Sequence, residues 1–303
     1  MKFRAHETFF IRKGWLTKGL KHISETPEIF LSKDIKPSEV IGIGTNMVKA
    51  LRYWLQATGL TEEVREDGKL IQKRTKLGDL IWEHDRYLEE EETLWLIHYK
   101  LATNKDLSTT WYWFFNEFDV TQFDKEEFVN AIDGYVKYNA EGYRVAKSSL
   151  SDDYSCLVNT YVSRRSGKKG TFSPENTIES PLSALGLIEA SDEKNKVLRK
   201  ITLKNPRIHP NILLAVIIDQ NAEKKEVKIS SLVNDVCNIG KIFNMDINLI
   251  NMYLDNLKRK GHIEVIRTAG LDVVRIKEDR TALALIEDFY KELNQEGLLI
   301  HHE

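Results

Sequence analysis

Five side chains able to move protons or bind phosphate crowd the start of the chain: Arg4, His6, Glu7, Arg12 and Trp15, in the segment FRAHETFFIRKGW. A histidine beside a carboxylate can deprotonate a water, and two guanidinium groups can stabilise charge on a phosphate in transit. His6, Glu7 and Arg12 are therefore the candidate catalytic residues for phosphodiester chemistry. The same residues also suit a buried hydrogen-bonded knot, with His6 satisfied by a carboxylate and Arg12 by backbone carbonyls. Asp152 and Asp153 form a second acidic pair, able to hold a divalent ion or to cap a helix, and the metal ligands are not fixed by any spacing. Cys156 beside them reads as a small buried hydrophobe. The signatures HExxH, CxxC, GxSxG and the dinucleotide fingerprint do not occur, which removes the common metalloprotease, hydrolase and oxidoreductase readings.

A second group of residues offers recognition rather than catalysis. In IGIGTNMVKALRYWLQATGL, Gly42 and Gly44 permit a turn, Thr45 is a candidate N-cap, and Gly59 stands where a left-handed helix stop falls. Val48, Leu51 and Leu55 make a buried stripe at helical spacing. Thr45, Lys49, Arg52 and Gln56 make the opposite polar one, with Asn46 beside it. Cations, amides and hydroxyls on one helix face are the groups that meet phosphates and base edges in a major groove. An ordinary solvated helix face has the same composition. The segment Ser163 to Gly170 adds Arg164, Arg165, Lys168 and Lys169 between glycines and serines, suited to gripping a DNA backbone or to serving as a solvated linker.

The elements that must position these residues follow from the turn signals. Asp67-Gly68 between Val64 and Leu70-Ile71 predicts a two-residue hairpin directly after the polar-striped helix. Helix then hairpin is the order of a winged helix. It recurs where Asp246 precedes INLINMYLDNLKRKG and strands HIEVIRT and DVVRIK flank Ala269-Gly270, and a weaker third copy is expected at SPLSALGLIEASDEKNKVLRKITL. LGDLIWEHDRYLEEEETLWLIHYKLA reads as two helices broken near Glu89 to Glu92, and TTWYWFFNEF as aromatic core. The fold class is mainly α with small β-hairpins (α+β), built of tandem winged-helix-like units. Two domains are expected, residues 1–145 and 146–303.

With 303 residues, 42% hydrophobic and 30% charged, the chain can bury two modest cores. Cys156 and Cys237 are too isolated for a disulfide framework or zinc set, which suits a reducing, cytoplasmic setting. No apolar run approaches the roughly 18 residues of a membrane span. The net charge of -2 hides an uneven distribution. Residues 1–60 hold ten basic and five acidic side chains, residues 61–133 nine and eighteen, and residues 134–170 seven and three. Local potential steers phosphate contacts more than the total does, so two basic zones around an acidic one suit a protein that meets a polyanion with defined faces.

FRAHETFFIRKGWLTKGL, IGIGTNMVKALRYWLQATGL and ESPLSALGLI resemble landmarks of the uncharacterised proteins encoded beside bacterial DNA phosphorothioation genes, a family that includes the SspB-type proteins. His6-Glu7-Thr8-Phe9, Arg12 and Gly14-Trp15-Leu16 match its N-terminal signature. Ala5 stands where a glycine is usual, which argues against a tight turn before His6. The resemblance implies a DNA-binding, DNA-nicking component of an antiviral defence or restriction-modification system. It implies double-stranded DNA, a cysteine desulfurase, an ATPase and a pyrophosphatase-type enzyme as partners, with no membrane contact, and a divalent metal (Mg or Mn) if the protein nicks. A non-enzymatic DNA-binding regulator and a protein-binding scaffold stay open beside it, as does a homodimer.

Overall fold

The computed structural model describes residues 1–163, 179–192, 196–204, 206–268 and 271–300. The basic segment with Arg164, Arg165, Lys168 and Lys169 lies outside the described residues, as does Ala269-Gly270. Two compact units divide the chain, Met1–Phe114 with Phe118–Ile201, and Phe115–Glu117 with Thr202–Glu303. Residue 145, where the change in composition suggested a boundary, sits inside the first unit.

In the first unit, α1 (Trp15–Glu25), α2 (Pro37–Ile41) and α3 (Thr45–Ala57) precede the strands β1 (Thr61–Glu66) and β2 (Lys69–Arg74). Gly44, in extended conformation, is the N-cap of α3, and Thr45 is its first helical residue with no side-chain cap. Gly59 takes φ 68° beyond the helix end, as the stop signal requires. Val48, Leu51 and Leu55 are buried as expected, but so are Ala50, Tyr53, Trp54 and Ala57, leaving a narrow outer face. The strands pair from Thr61 with Arg74 to Glu66 with Lys69. Asp67 and Gly68 turn between them at φ 49° and 77°, the pair of positive values that the two-residue turn demands.

The acidic middle forms α4 (Lys76–His84) and α5 (Glu91–Thr103), broken where Asp85 accepts the backbone N–H groups of Glu89 and Glu90 at 2.9 and 3.1 Å. Then follow α6 (Thr109–Asn116), β3 (Gln122–Phe123), α7 (Lys125–Asn139) and α8 (Lys147–Tyr161). The aromatic run is core: Trp111, Trp113 and Phe114 are buried, and Phe114 meets Phe123 at 5.4 Å between ring centres. Asp124 and Glu127 close a capping box on α7. The expected third copy is corrected in one respect. Residues Pro181–Leu185 form a 3-10 turn rather than a recognition helix, because Pro181 starts it and Gly186 ends it at φ 63°. Its hairpin does form, β4 (Ile188–Asp192) with β5 (Val197–Lys200), in a sheet of order β3-β5-β4.

In the second unit, α9 (Pro210–Gln220), β6 (Glu226–Lys228), α10 (Ile229–Asn234), α11 (Ile239–Ile242) and α12 (Ile247–Arg259) lead to the strands β7 (Ile263–Thr268) and β8 (Leu271–Ile276). Asp246 caps α12 by accepting from Leu249 N at 2.8 Å, and Ile250, Leu254 and Leu257 are fully buried. The sheet order is β6-β8-β7. The final helix α13 (Ala282–Ile300) packs along α9. No described helix is long and apolar enough to cross a membrane.

Candidate functional site

The N-terminal segment folds into a turn around a buried imidazole. His6 is 1% exposed, and its Nδ1 accepts the backbone N–H of Thr8 at 3.1 Å. That bond places the ring proton on Nε2, which donates to Asp153 Oδ1 at 2.8 Å. Asp153, on α8 and also 1% exposed, accepts Arg4 N on the same oxygen at 2.8 Å and the Thr110 hydroxyl on Oδ2 at 2.5 Å. Trp54 stacks on the imidazole at 6.0 Å and 14°, and Trp111 meets it edge-on at 5.9 Å. A tight turn does precede and follow His6 despite Ala5. The positive φ falls instead on Arg4 at 54°, Glu7 at 49° and Thr8 at 69°, held there by the bonds to Asp153 and His6.

His6, Glu7 and Arg12 share this segment but not a common set of partners. Both nitrogens of His6 are engaged inside the fold, so a role as general base does not fit its burial. Glu7 faces outward, with Oε1 3.9 Å from Lys49 Nζ. Arg12 packs its guanidinium against three rings, 5.5 Å from Phe9, 6.0 Å from Phe10 and 5.1 Å from Trp15. The acidic pair is split as well: Asp152 binds Arg4 Nε at 2.8 Å on the surface while Asp153 serves the knot. Among the described residues, no three His, Cys, Asp or Glu side chains converge as ligands for a metal ion. The described residues therefore do not make a ready-built divalent-cation site.

The outer face of α3 presents Thr45, Asn46 and Lys49 exposed, with Arg52 and Gln56 half-buried. Lys49 Nζ donates to Asn46 Oδ1 at 3.3 Å. Glu63 of the hairpin engages the polar stripe expected of this helix. Its Oε1 accepts Arg52 Nε at 2.7 Å, Arg52 Nη2 at 2.6 Å and Gln56 Nε2 at 2.8 Å. Both stripe cations thus face a carboxylate, Lys49 loosely and Arg52 firmly.

Sequence reasoning missed the partners that decide these roles. Thr110 and Asp153 sit 43 and 147 residues from the groups they bind, and no local period marks them. Glu63 was nearer to hand. Eleven residues beyond Arg52, on the first strand of the predicted hairpin, a carboxylate was a foreseeable counterion. Cys156 is buried as expected, and burial together with the nearby Asp153 charge pushes its thiol well above the ordinary range.

The family model described as protein of unknown function (DUF4007) matches residues 3–290. A comparison with curated proteins gives no match. Among solved structures, a magnesium ion-bound SspB crystal structure is similar at 24% identity and a TM-score of 0.83, over 96% of this chain and 88% of that one. An SspB crystal structure is similar at 23% identity with the same TM-score and coverage. At these identities the likeness establishes a shared α+β fold across nearly the whole chain.

Proposed function

The chain belongs to the DUF4007 family, and from that premise and its fold we propose that it is the DNA-binding component of a bacterial DNA phosphorothioation modification and defence system. The likeness to the SspB structures over 96% of the chain carries this reading, because it extends over nearly the whole chain rather than one motif. Those segments, read as winged-helix-like units, are frequent grips on duplex DNA. On α3 the contact falls to Thr45, Asn46 and Lys49, with Arg52 and Gln56 released to phosphates only when Glu63 yields them. A cysteine desulfurase, an ATPase and a pyrophosphatase-type enzyme complete the proposed system. Salt-dependent binding of the full chain to a random-sequence duplex tests the reading. Absence of binding at low ionic strength overturns it.

Nicking of one strand is the second reading. One specific observation favours it: a neighbour of the same fold binds magnesium. On this chain the acidic pair is tied to Arg4, His6 and Thr110. Relaxation of supercoiled plasmid in magnesium or manganese, lost in Glu7→Ala, supports cleavage. An inert wild-type protein removes it.

A further inference from the structure

Residues 109–200 repeat the plan of the second unit. There the order is α9, β6, α10 and α11, α12, then the hairpin β7-β8, with β6 joined to β8. Here it is α6, β3, α7, α8, then, after the 3-10 turn Pro181–Leu185, the hairpin β4-β5, with β3 joined to β5. The helix that precedes the hairpin, and so occupies the position from which such units meet a partner, is α8 in one and α12 in the other.

Their outer faces differ in chemistry. On α12, Ile247 and Met252 are 42% and 50% exposed, and Asp255 is exposed beside them, a surface ill suited to phosphates. On α8, Lys147, Ser151, Ser155 and Asn159 recur at steps of four, with Ser148 alongside. Its opposite side buries Leu150, Tyr154, Leu157 and Tyr161. None of the large hydrophobic side chains exposed among the described residues lies on α8. Its surface acid, Asp152, is held by Arg4.

The cations here are not matched as those of α3 are. Lys147 Nζ donates to the amide oxygen of Asn130 at 3.1 Å, a neutral partner. As the first residue of α8, Lys147 adds charge of the same sign as the helix end, unfavourable to the helix and favourable to an anion. A groove of 470 Å³ runs beside it, lined by Lys125, Asn130, Lys147, Ser148 and Ser151 with Glu126 as the one acid. Lys125 lies over the Tyr154 ring at 6.0 Å.

We propose that the outer face of α8, from Lys147 to Asn159, together with Lys125 of α7, is a contact surface for the backbone of duplex DNA. Fifteen residues make a rod of about 22 Å, long enough to follow a groove past several phosphates. This inference rests on the DNA-binding reading above. Fluorescence anisotropy of the full chain with a random-sequence duplex, titrated with salt, tests it. Lys125→Ala with Lys147→Ala is expected to lower the slope of log K against log salt by about 1.8, at 0.9 per lost phosphate contact. Ser151→Asp with Ser155→Asp is expected to weaken binding at least about tenfold, and Glu126→Gln to strengthen it. The melting temperature of Lys147→Ala stays level or rises, which separates a binding role from a structural one. Wild-type binding that all these variants retain unchanged overturns the α8 assignment alone. A wild-type protein that binds no duplex overturns the DNA-binding reading and this one together.

Discussion

Asp153 shows how one carboxylate decides whether a cluster is chemistry or architecture. Three donors, Arg4 N, His6 Nε2 and the Thr110 hydroxyl, converge on it in a site nine-tenths or more closed to solvent. Removing the acceptor leaves buried donors without partners, each costing about 1–3 kcal/mol, so Asp153→Ala is expected to lose about 3–5 kcal/mol in urea unfolding. A loss under about 1 kcal/mol would show that water replaces the carboxylate. The types Arg, His and Glu were legible at the N-terminus; their partner, folded in from α8, was not. On α3 the same logic runs through Glu63. With Glu63→Gln, Arg52 becomes available to a phosphate, so duplex affinity is expected to rise and its salt slope to steepen by about 0.9, while Lys49→Ala flattens it by about the same amount. Titrations of both variants that superimpose on wild type would move the DNA contact off α3.

At the scale of elements, the legible features were those set by short-range chemistry. The Asp67-Gly68 turn, the Asp246 cap and the stripe of Val48, Leu51 and Leu55 each depend on residues within one or two turns of one another. Leu51 is fully buried and meets α1 where Gly19 lets the helices close: a Cβ there would stand 3.1 Å from Leu51 Cδ1 and 2.6 Å from Leu55 Cδ1. Leu51→Ala is therefore expected to cost about 2–5 kcal/mol, read from the denaturation midpoint. The helix proposed to serve the third copy, α8, was illegible for a different reason. The long stretch between α8 and β4 separates helix from hairpin, and the nearest apolar run, PLSAL, drew the assignment although Pro181 and Gly186 confine it to a 3-10 turn. In the second unit an ion network joins the end of β8 to α13. Glu278 accepts His262 Nδ1 at 2.9 Å and Arg280 Nη2 at 2.7 Å, and Arg280 reaches on to Asp288 at 2.5 Å. The hydrogen bonds from Arg280, foremost, hold the Glu278 carboxyl at about 2 against an ordinary 4.5. A depressed carboxylate stabilises the fold fully above its unfolded value and loses that contribution as acid titrates the folded one. Glu278→Gln should thus flatten the decline in stability between about pH 5 and about pH 2. An acid limb that matches wild type would show that the network carries no net stabilisation.

The whole molecule is nearly neutral, with 44 basic and 46 acidic side chains, so the proposed duplex binding has to arise from where charge stands rather than from how much there is. The zoning along the chain was legible; its pairing was not. Of the basic surplus in residues 1–60, Arg52 is committed to Glu63, Lys36 to Glu39 and Lys18 to the carbonyl of Ile41, which thins the field that composition alone suggests. Residues 134–170 are the other basic zone, and there Lys147 meets only an amide. Arg164, Arg165, Lys168 and Lys169 follow α8 in sequence and belong to the same basic zone. Replacing all four with alanine is expected to lower the magnitude of the salt slope by about 3 to 4, at 0.9 per phosphate contact, without altering the melting temperature. If the slope holds while Lys125→Ala with Lys147→Ala reduces it, the grip ends on the helix and this segment serves as a linker. A combined variant whose slope falls by more than the sum of the separate effects would mean that helix and segment bind as one surface.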